Sequence, residues 1–126
     1  MLEKEAYLKN VLSLAYLGDA VFSLMVREAL VLKYNLKSSG LNKIANSVVC
    51  AKSQADIMRR LESLTDDEQD IVNRARNSHV NNIAKNSTRE EYGLATEFEA
   101  LVGYWYLTNK KEKLDNIFNT FVMEKL

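Results

Sequence analysis

The chain has 126 residues, no proline and four glycines, with 47% hydrophobic and 27% charged side chains; this is the composition of one helical domain, and it excludes disorder, collagen-like repeats and most turn-rich β architectures. Seventeen basic and seventeen acidic residues cancel, so a nucleic-acid partner would have to be held by a local patch and not by a global field. A single cysteine, Cys50, and a single histidine, His79, leave no intrachain disulfide and no Cys/His zinc cluster.

Leu8, Val11, Leu12, Ala15 and Tyr16, continued by Phe22, Met25, Val26, Ala29 and Leu30, recur at three- and four-residue steps. That spacing lines one helix face and predicts a long first helix ending near Tyr34. After a turn at Ser38-Ser39-Gly40, the stripe Leu41, Ile44, Ala45, Val48, Val49 predicts a second helix. Ile57, Met58, Leu61 and Leu64 predict a third after a break at Cys50 to Ser53. Thr65 with Glu68 three residues on is a capping-box signature, which sets a helix from about Asp66 to Arg76. From Asn77 to Thr88 the apolar period stops and an Asn- and Ser-rich loop is expected. Helix resumes near Arg89 with the block FEALVGYWYL, and Leu114, Ile117, Phe118, Phe121 and Val122 predict a final amphipathic helix. The reading is an all-α chain with a single domain over 1–126.

The start, MLEKEAYLKN, carries two Glu in its first five residues, unlike a signal peptide, and the longest uncharged run, Ala100 to Asn109, is too short to span a bilayer. A cytoplasmic protein without membrane contact is expected.

Two carboxylates stand out. Asp19 has Ala15, Tyr16, Phe22 and Ser23 as its helical neighbours, and Glu99 has Ala95, Thr96, Val102 and Gly103. A charge on such a face is costly unless a cation, a metal or several donors compensate it, and Gly18 beside Asp19 costs a further ~1 kcal/mol relative to Ala in a helix interior. One explanation is structural: Gly18 permits close packing, Asp19 accepts backbone hydrogen bonds and Glu99 pairs with a Lys or Arg. The other is one shared site. Carboxylates from two helices, without His or Cys, form a hard oxygen site suited to Mg²⁺ or Mn²⁺ with phosphate oxygens among the remaining ligands, the chemistry of phosphodiester hydrolysis. Between Ile71 and Arg89 the chain also carries Arg74, Arg76, Lys85 and Arg89 with no acid, a strip able to contact phosphates without reading sequence. A solvated charged loop is the alternative there.

The stretches LSLAYLGDAVFSLMVRE and TEFEALVGYWYL resemble the ribonuclease III catalytic domain, specifically its short bacterial branch, mini-ribonuclease III. Against the family signature E-R-L-E-F-L-G-D-A-V, Leu14, Leu17, Gly18, Asp19, Ala20 and Val21 are kept and Tyr16 takes the Phe position. Leu12 and Ala15 stand where the larger enzymes carry Glu. In the second motif, D-x-F-E-A-L-I-G, Thr96 stands at the Asp while Phe98, Glu99, Ala100, Leu101 and Gly103 are kept. The short branch shares the reduced acid set and retains the positions matched by Asp19 and Glu99. VCAKSQADI fits its V-S-A-K-x-Q element, and RARNSHVNNIAKNS is similar to its R-G-R-N-A-K…P-K-N loop, with Ala75, His79 and Ala84 replacing Gly, Lys and Pro.

The resemblance implies the ribonuclease III helical fold and a homodimer whose signature helices pack together. It implies an endoribonuclease that cuts double-stranded RNA, one strand per subunit, leaving 5′-phosphate ends, and that trims precursor 23S ribosomal RNA. Asp19 and Glu99 would be the catalytic metal ligands, with Mg²⁺ as cofactor and Mn²⁺ as substitute. Lys52, Gln54, Arg74, Arg76, Asn77, Lys85 and Asn86 would bind RNA. Whether a ribosomal protein assists by reshaping that RNA stays open. A non-catalytic dimeric RNA-binding module of the same fold is the competing reading; a di-iron bundle fails for want of Glu-x-x-His pairs. Tyr104, Trp105 and Tyr106 are read as core and interface, and His79 as a solvent-exposed loop residue.

Overall fold

The computed structural model describes residues 1–78 and 88–126. The elements are α1 (Glu3–Tyr7), α2 (Val11–Lys33), α3 (Ser38–Val49), α4 (Ala51–Arg60), α5 (Asp66–Arg76), α6 (Arg89–Leu107) and α7 (Lys111–Ile117). A π-helical turn, Phe118–Val122, and a 3₁₀ turn, Met123–Lys125, follow α7. Among the described residues there is no strand, as the composition predicts.

The central element is α6, packed against α2, α4 and α5. With neighbours on several sides it buries Ala95 through Phe98 and Ala100 through Trp105, and so it lacks a clean polar stripe. Its partner α2 buries Leu14, Ala15, Gly18, Val21, Phe22, Val26 and Leu30 at the three- and four-residue steps read from sequence. Phe22 meets Phe98 edge to face with centroids 5.2 Å apart, the geometry that places a positive ring edge on a negative face.

The predicted first helix, whose stripe begins at Leu8, starts at Val11, and a separate short helix, α1, precedes it. Asn10 Oδ1 accepts hydrogen bonds from the backbone N–H groups of Leu12 (2.9 Å) and Ser13 (3.2 Å); an N-cap restarts the backbone there and detaches α1, because the cap residue leaves helical φ/ψ while satisfying two of the donors at a helix start. The expected break at Cys50 to Ser53 narrows to Cys50 alone, extended at φ −68°, ψ 159°. Leu61 and Leu64 lie beyond the end of α4 but still pack on the core. The Thr65–Glu68 capping box is present with both of its hydrogen bonds, and α5 starts and stops at the predicted residues. A second box, Thr88 with Glu91, starts α6. Of the predicted loop, residues 79–87 lie outside the described residues, and with them His79, Lys85 and Asn86.

The base of α5 carries the best-satisfied buried carboxylate among the described residues. Glu68, 2% exposed, accepts from the Trp105 indole (2.7 Å), the Thr65 backbone N–H (2.9 Å) and Lys113 Nζ (3.3 Å). Burial alone would raise its pKa, but these donors outweigh it and hold the carboxyl below its ordinary value. Trp105 and Tyr104 are core, as expected, and Tyr106 is exposed.

Candidate active site at the crossing of two helices

Two glycines set the distance between α2 and α6. A Cβ on Gly18 would overlap the carbonyl of Glu99 and stand 2.9 Å from the Gly103 nitrogen; a Cβ on Gly103 would overlap the carbonyl of Leu14. The helices therefore meet backbone to backbone, and the residue after Gly18, Asp19, is brought beside Glu99. This explains the glycine placed in a helix interior: its cost in propensity is offset by an approach that no side chain permits.

Asp19 is exposed and Glu99 half-buried in the single chain. Burial, then a hydrogen bond and repulsion from Asp19, push the Glu99 carboxyl up to about 9, with Gln54 opposing them. The cause is physical: two carboxylates share one crossing, and the buried one keeps its proton. No group of three or more His, Cys, Asp or Glu side chains able to hold a metal occurs among the described residues. A divalent cation fits the pair nonetheless. It supplies the charge that the carboxylates lack, both donors are hard oxygens, and a cation that keeps its waters needs few protein ligands.

The other predicted site residues separate into groups. Lys52 is exposed on the first turn of α4, and Asn77 is exposed at the end of α5. Arg76 is mostly exposed and reaches back 3.2 Å to Glu97, a carboxylate 3% exposed whose pKa is raised by burial and only partly restored by that guanidinium. Arg74 points the other way. It donates to the carbonyls of Tyr7 (2.7 Å) and Lys9 (3.3 Å), pairs with Asp70 (3.1 Å) and lies over the Tyr7 ring, so its guanidinium clamps α1 and not a phosphate. Gln54 is 2% exposed; expected at the RNA surface, it is instead inside the protein, donating to the carbonyl of Val49 at 2.9 Å. The reason is its position on α4, where Ala51, Ile57 and Met58 share its face.

Glu97 and the buried role of Gln54 escaped the sequence reading, although a signal existed. The neighbour test that exposes Asp19 and Glu99 also marks Glu97, with Leu94, Ala100 and Leu101 around it, and Gln54.

Comparison with known proteins defines the class. Residues 12–110 match the Ribonuclease III domain model, and the chain belongs to the ribonuclease III family. Within it the similarity runs to the short branch. The chain is 42% identical to the Mini-ribonuclease 3 of Brevibacillus brevis over 92% of its own length and 87% of the relative's. It is 39% identical to that of Enterococcus faecalis over 87% of this chain and 86% of the relative. A crystal structure of a Fusobacterium nucleatum protein superposes with a TM-score of 0.85 at 32% identity, covering 93% of this chain and 94% of that one. No helix of the described residues is long and apolar enough to cross a membrane.

Proposed function

We propose that this ribonuclease III-type ribonuclease is a Mg²⁺-dependent endonuclease, with Mn²⁺ as a substitute, that cuts double-stranded RNA and matures the ends of precursor 23S ribosomal RNA. The observation that carries it is the glycine-enforced pairing of Asp19 with Glu99, two carboxylates held together with no ion pair to either among the described residues. Family membership over most of the chain supports the reaction class, and the names of the relatives support the branch.

Asp19 and Glu99 would hold the cation. When bound, it lowers the pKa of a water and neutralises charge on the phosphate and the leaving 3′ oxygen. Glu99 gives up its proton to become a ligand, so cation binding and proton release are linked. Lys52, Arg76 and Asn77, all exposed, would hold phosphates and 2′-hydroxyls across the wide minor groove of A-form RNA, with Lys85 and Asn86 assigned from their loop sequence. Selection is then by duplex shape.

A homodimer completes the reading. Along α2, Leu12, Tyr16, Leu24 and Leu32 are exposed large apolar side chains. An open groove of about 900 Å³, lined by Val21, Leu24, Met25, Tyr106 and Phe118 among others, runs beside them. This exposed apolar surface, edged by charged residues such as Glu28, Lys33 and Lys111, suits a second copy of the chain, which would carry one acidic site to each strand.

The test is cleavage of end-labelled structured precursor RNA and a single-stranded control by wild type and Asp19→Asn, with Mg²⁺ or EDTA. Duplex-restricted, Mg²⁺-dependent cutting that disappears in Asp19→Asn while RNA retention persists is the expected result. Retention without cutting by the wild type in Mg²⁺ and in Mn²⁺ would replace the nuclease with a non-catalytic RNA-binding module.

A further inference from the structure

We propose that the cleft at the α3–α4 kink seats one phosphate group, held by the first turn of α4, the Ser53 hydroxyl and Lys52; for RNA as the source of that phosphate it rests on the reading of Lys52 as an RNA contact. The cleft, of about 360 Å³, opens between the end of α3, the first turns of α4, Glu91 and Lys125. The start of α4 is bare. Its ten residues have no acid in the first turn and no side-chain cap, and the Cys50 thiol at the cap position donates back to the carbonyl of Ser47 at 3.6 Å. The first internal bond runs from the Gln54 N–H to the Cys50 carbonyl at 3.1 Å, which leaves the N–H groups of Ala51, Lys52 and Ser53 without a partner in the helix. Those donors and the positive end of the helix favour an anion.

Ser53 marks this terminus out. It is 7% exposed and lines the cleft, yet its Oγ has no hydrogen-bond partner. The carbonyl that a helical serine would use, one turn back at Val49, already receives the Gln54 amide at 2.9 Å. Helical side chains lean towards the N-terminus, so the idle hydroxyl lies over the same turn as the idle N–H groups, and a buried hydroxyl kept without a partner calls for a ligand. Charge selects the class. Lys52, Arg59 and Lys125 line the cleft against Asp56 and Glu91. Asp56 is paired with Lys125 at 3.2 Å, Arg59 reaches Glu90 at 3.2 Å, and Glu91 closes the capping box of α6. Lys52 makes no ion pair among the described residues. An unpaired ammonium beside backbone N–H groups and a hydroxyl is a donor set for the several oxygens of a tetrahedral phosphate.

The experiment follows the backbone amide resonances of Ala51, Lys52 and Ser53, first with inorganic phosphate against chloride at equal ionic strength, then with duplex RNA in EDTA. In the wild type all three should shift saturably with phosphate and stay fixed with chloride. Ser53→Ala removes a hydroxyl that bonds to nothing in the free chain, so its urea midpoint should not fall, while its phosphate affinity should drop about tenfold, the worth of one hydrogen bond to a charged group. Lys52→Ala should lose at least as much. No saturable shift in the wild type, or wild-type phosphate affinity in Ser53→Ala, overturns the proposal. Duplex RNA should move the same three amides and compete with phosphate for them. Amides that answer to phosphate and not to RNA would uphold the seat as a site for free phosphate and sink the reading of Lys52 as an RNA contact, a separate failure.

Discussion

Two glutamates in this chain are withdrawn from water and meet opposite fates. Glu68, at the base of α5, is nearly sealed yet receives an indole, a backbone N–H and an ammonium, and its pKa falls. Glu99, at the α2–α6 crossing, is less enclosed and faces another carboxylate, and its pKa rises to about 9. Burial does not distinguish them. What separates them is the balance of neighbours: Glu68 receives three donors, one of them an ammonium, whereas Glu99 faces a second carboxylate with only Gln54 opposing it. The Glu68 region is a finished piece of structure, and the Glu99 region is, under the proposed function, the one a cation would complete.

Substitutions can break that comparison at either end. The largest effect is expected from Gly18→Ala: the added methyl meets backbone and not a yielding side chain, so destabilisation of about 3 kcal/mol, the upper end of overpacking costs, should appear in urea unfolding, together with loss of cleavage. Trp105→Phe comes next. It removes the 2.7 Å donor from Glu68 and should cost about 2 kcal/mol in the same assay while leaving Mn²⁺ affinity untouched.

The pH dependence of the cation-free protein sharpens the contrast. Glu99 has its proton in the folded chain up to about 9 and sheds it near 4.5 when unfolded, so the folded state binds more protons in between. Its stabilising contribution is complete below about 4.5 and is lost as pH rises towards about 9. Glu68, with its folded pKa lowered, contributes above its unfolded value and loses that contribution on acidification. Glu99→Gln should therefore flatten the decline in stability between neutral and alkaline pH, measured by urea midpoints across the range. An unchanged alkaline slope would show that the Glu99 carboxyl is not raised in the folded chain. The smallest effect is expected from Arg76→Ala, which should lower the slope of log affinity against log salt for duplex RNA by about 1 without changing the Mn²⁺ titration.

Much of this was legible in the sequence because local chemistry decided it. The capping box marks the start of α5 and the three- and four-residue stripes mark the buried face of α2, while the misplaced acids single out Asp19 and Glu99, which the glycine crossing brings side by side. Asn10 was overlooked as a cap because the apolar stripe runs through it without interruption, and a stripe reports a face and not a continuous backbone. Gln54 is expected at the RNA surface from the motif it matches and Arg74 from the acid-free basic strip, and neither a motif nor a charge reports exposure. The neighbour pattern places Gln54 inside, but the carbonyls that Arg74 binds belong to a segment 65 to 67 residues earlier, a distance no local pattern spans. The same pattern marks Glu68, Glu97 and Glu99 alike. Telling a satisfied carboxylate from a waiting one requires knowing which distant donors arrive, and sequence spacing does not carry that information.

The Gly18–Gly103 crossing has one more consequence, for motion. Where helices touch through side chains, rotamer hops let them slide without breaking hydrogen bonds; where they touch through backbone, that slack is absent. The separation of Asp19 from Glu99 is thus geared directly to the helix axes. Amide hydrogens around the crossing, from Leu14 to Gly18 and from Glu99 to Gly103, should exchange with deuterium only through global opening of the domain, making this crossing the slowest-exchanging part of the molecule and a built-in reporter of whether the whole chain is folded.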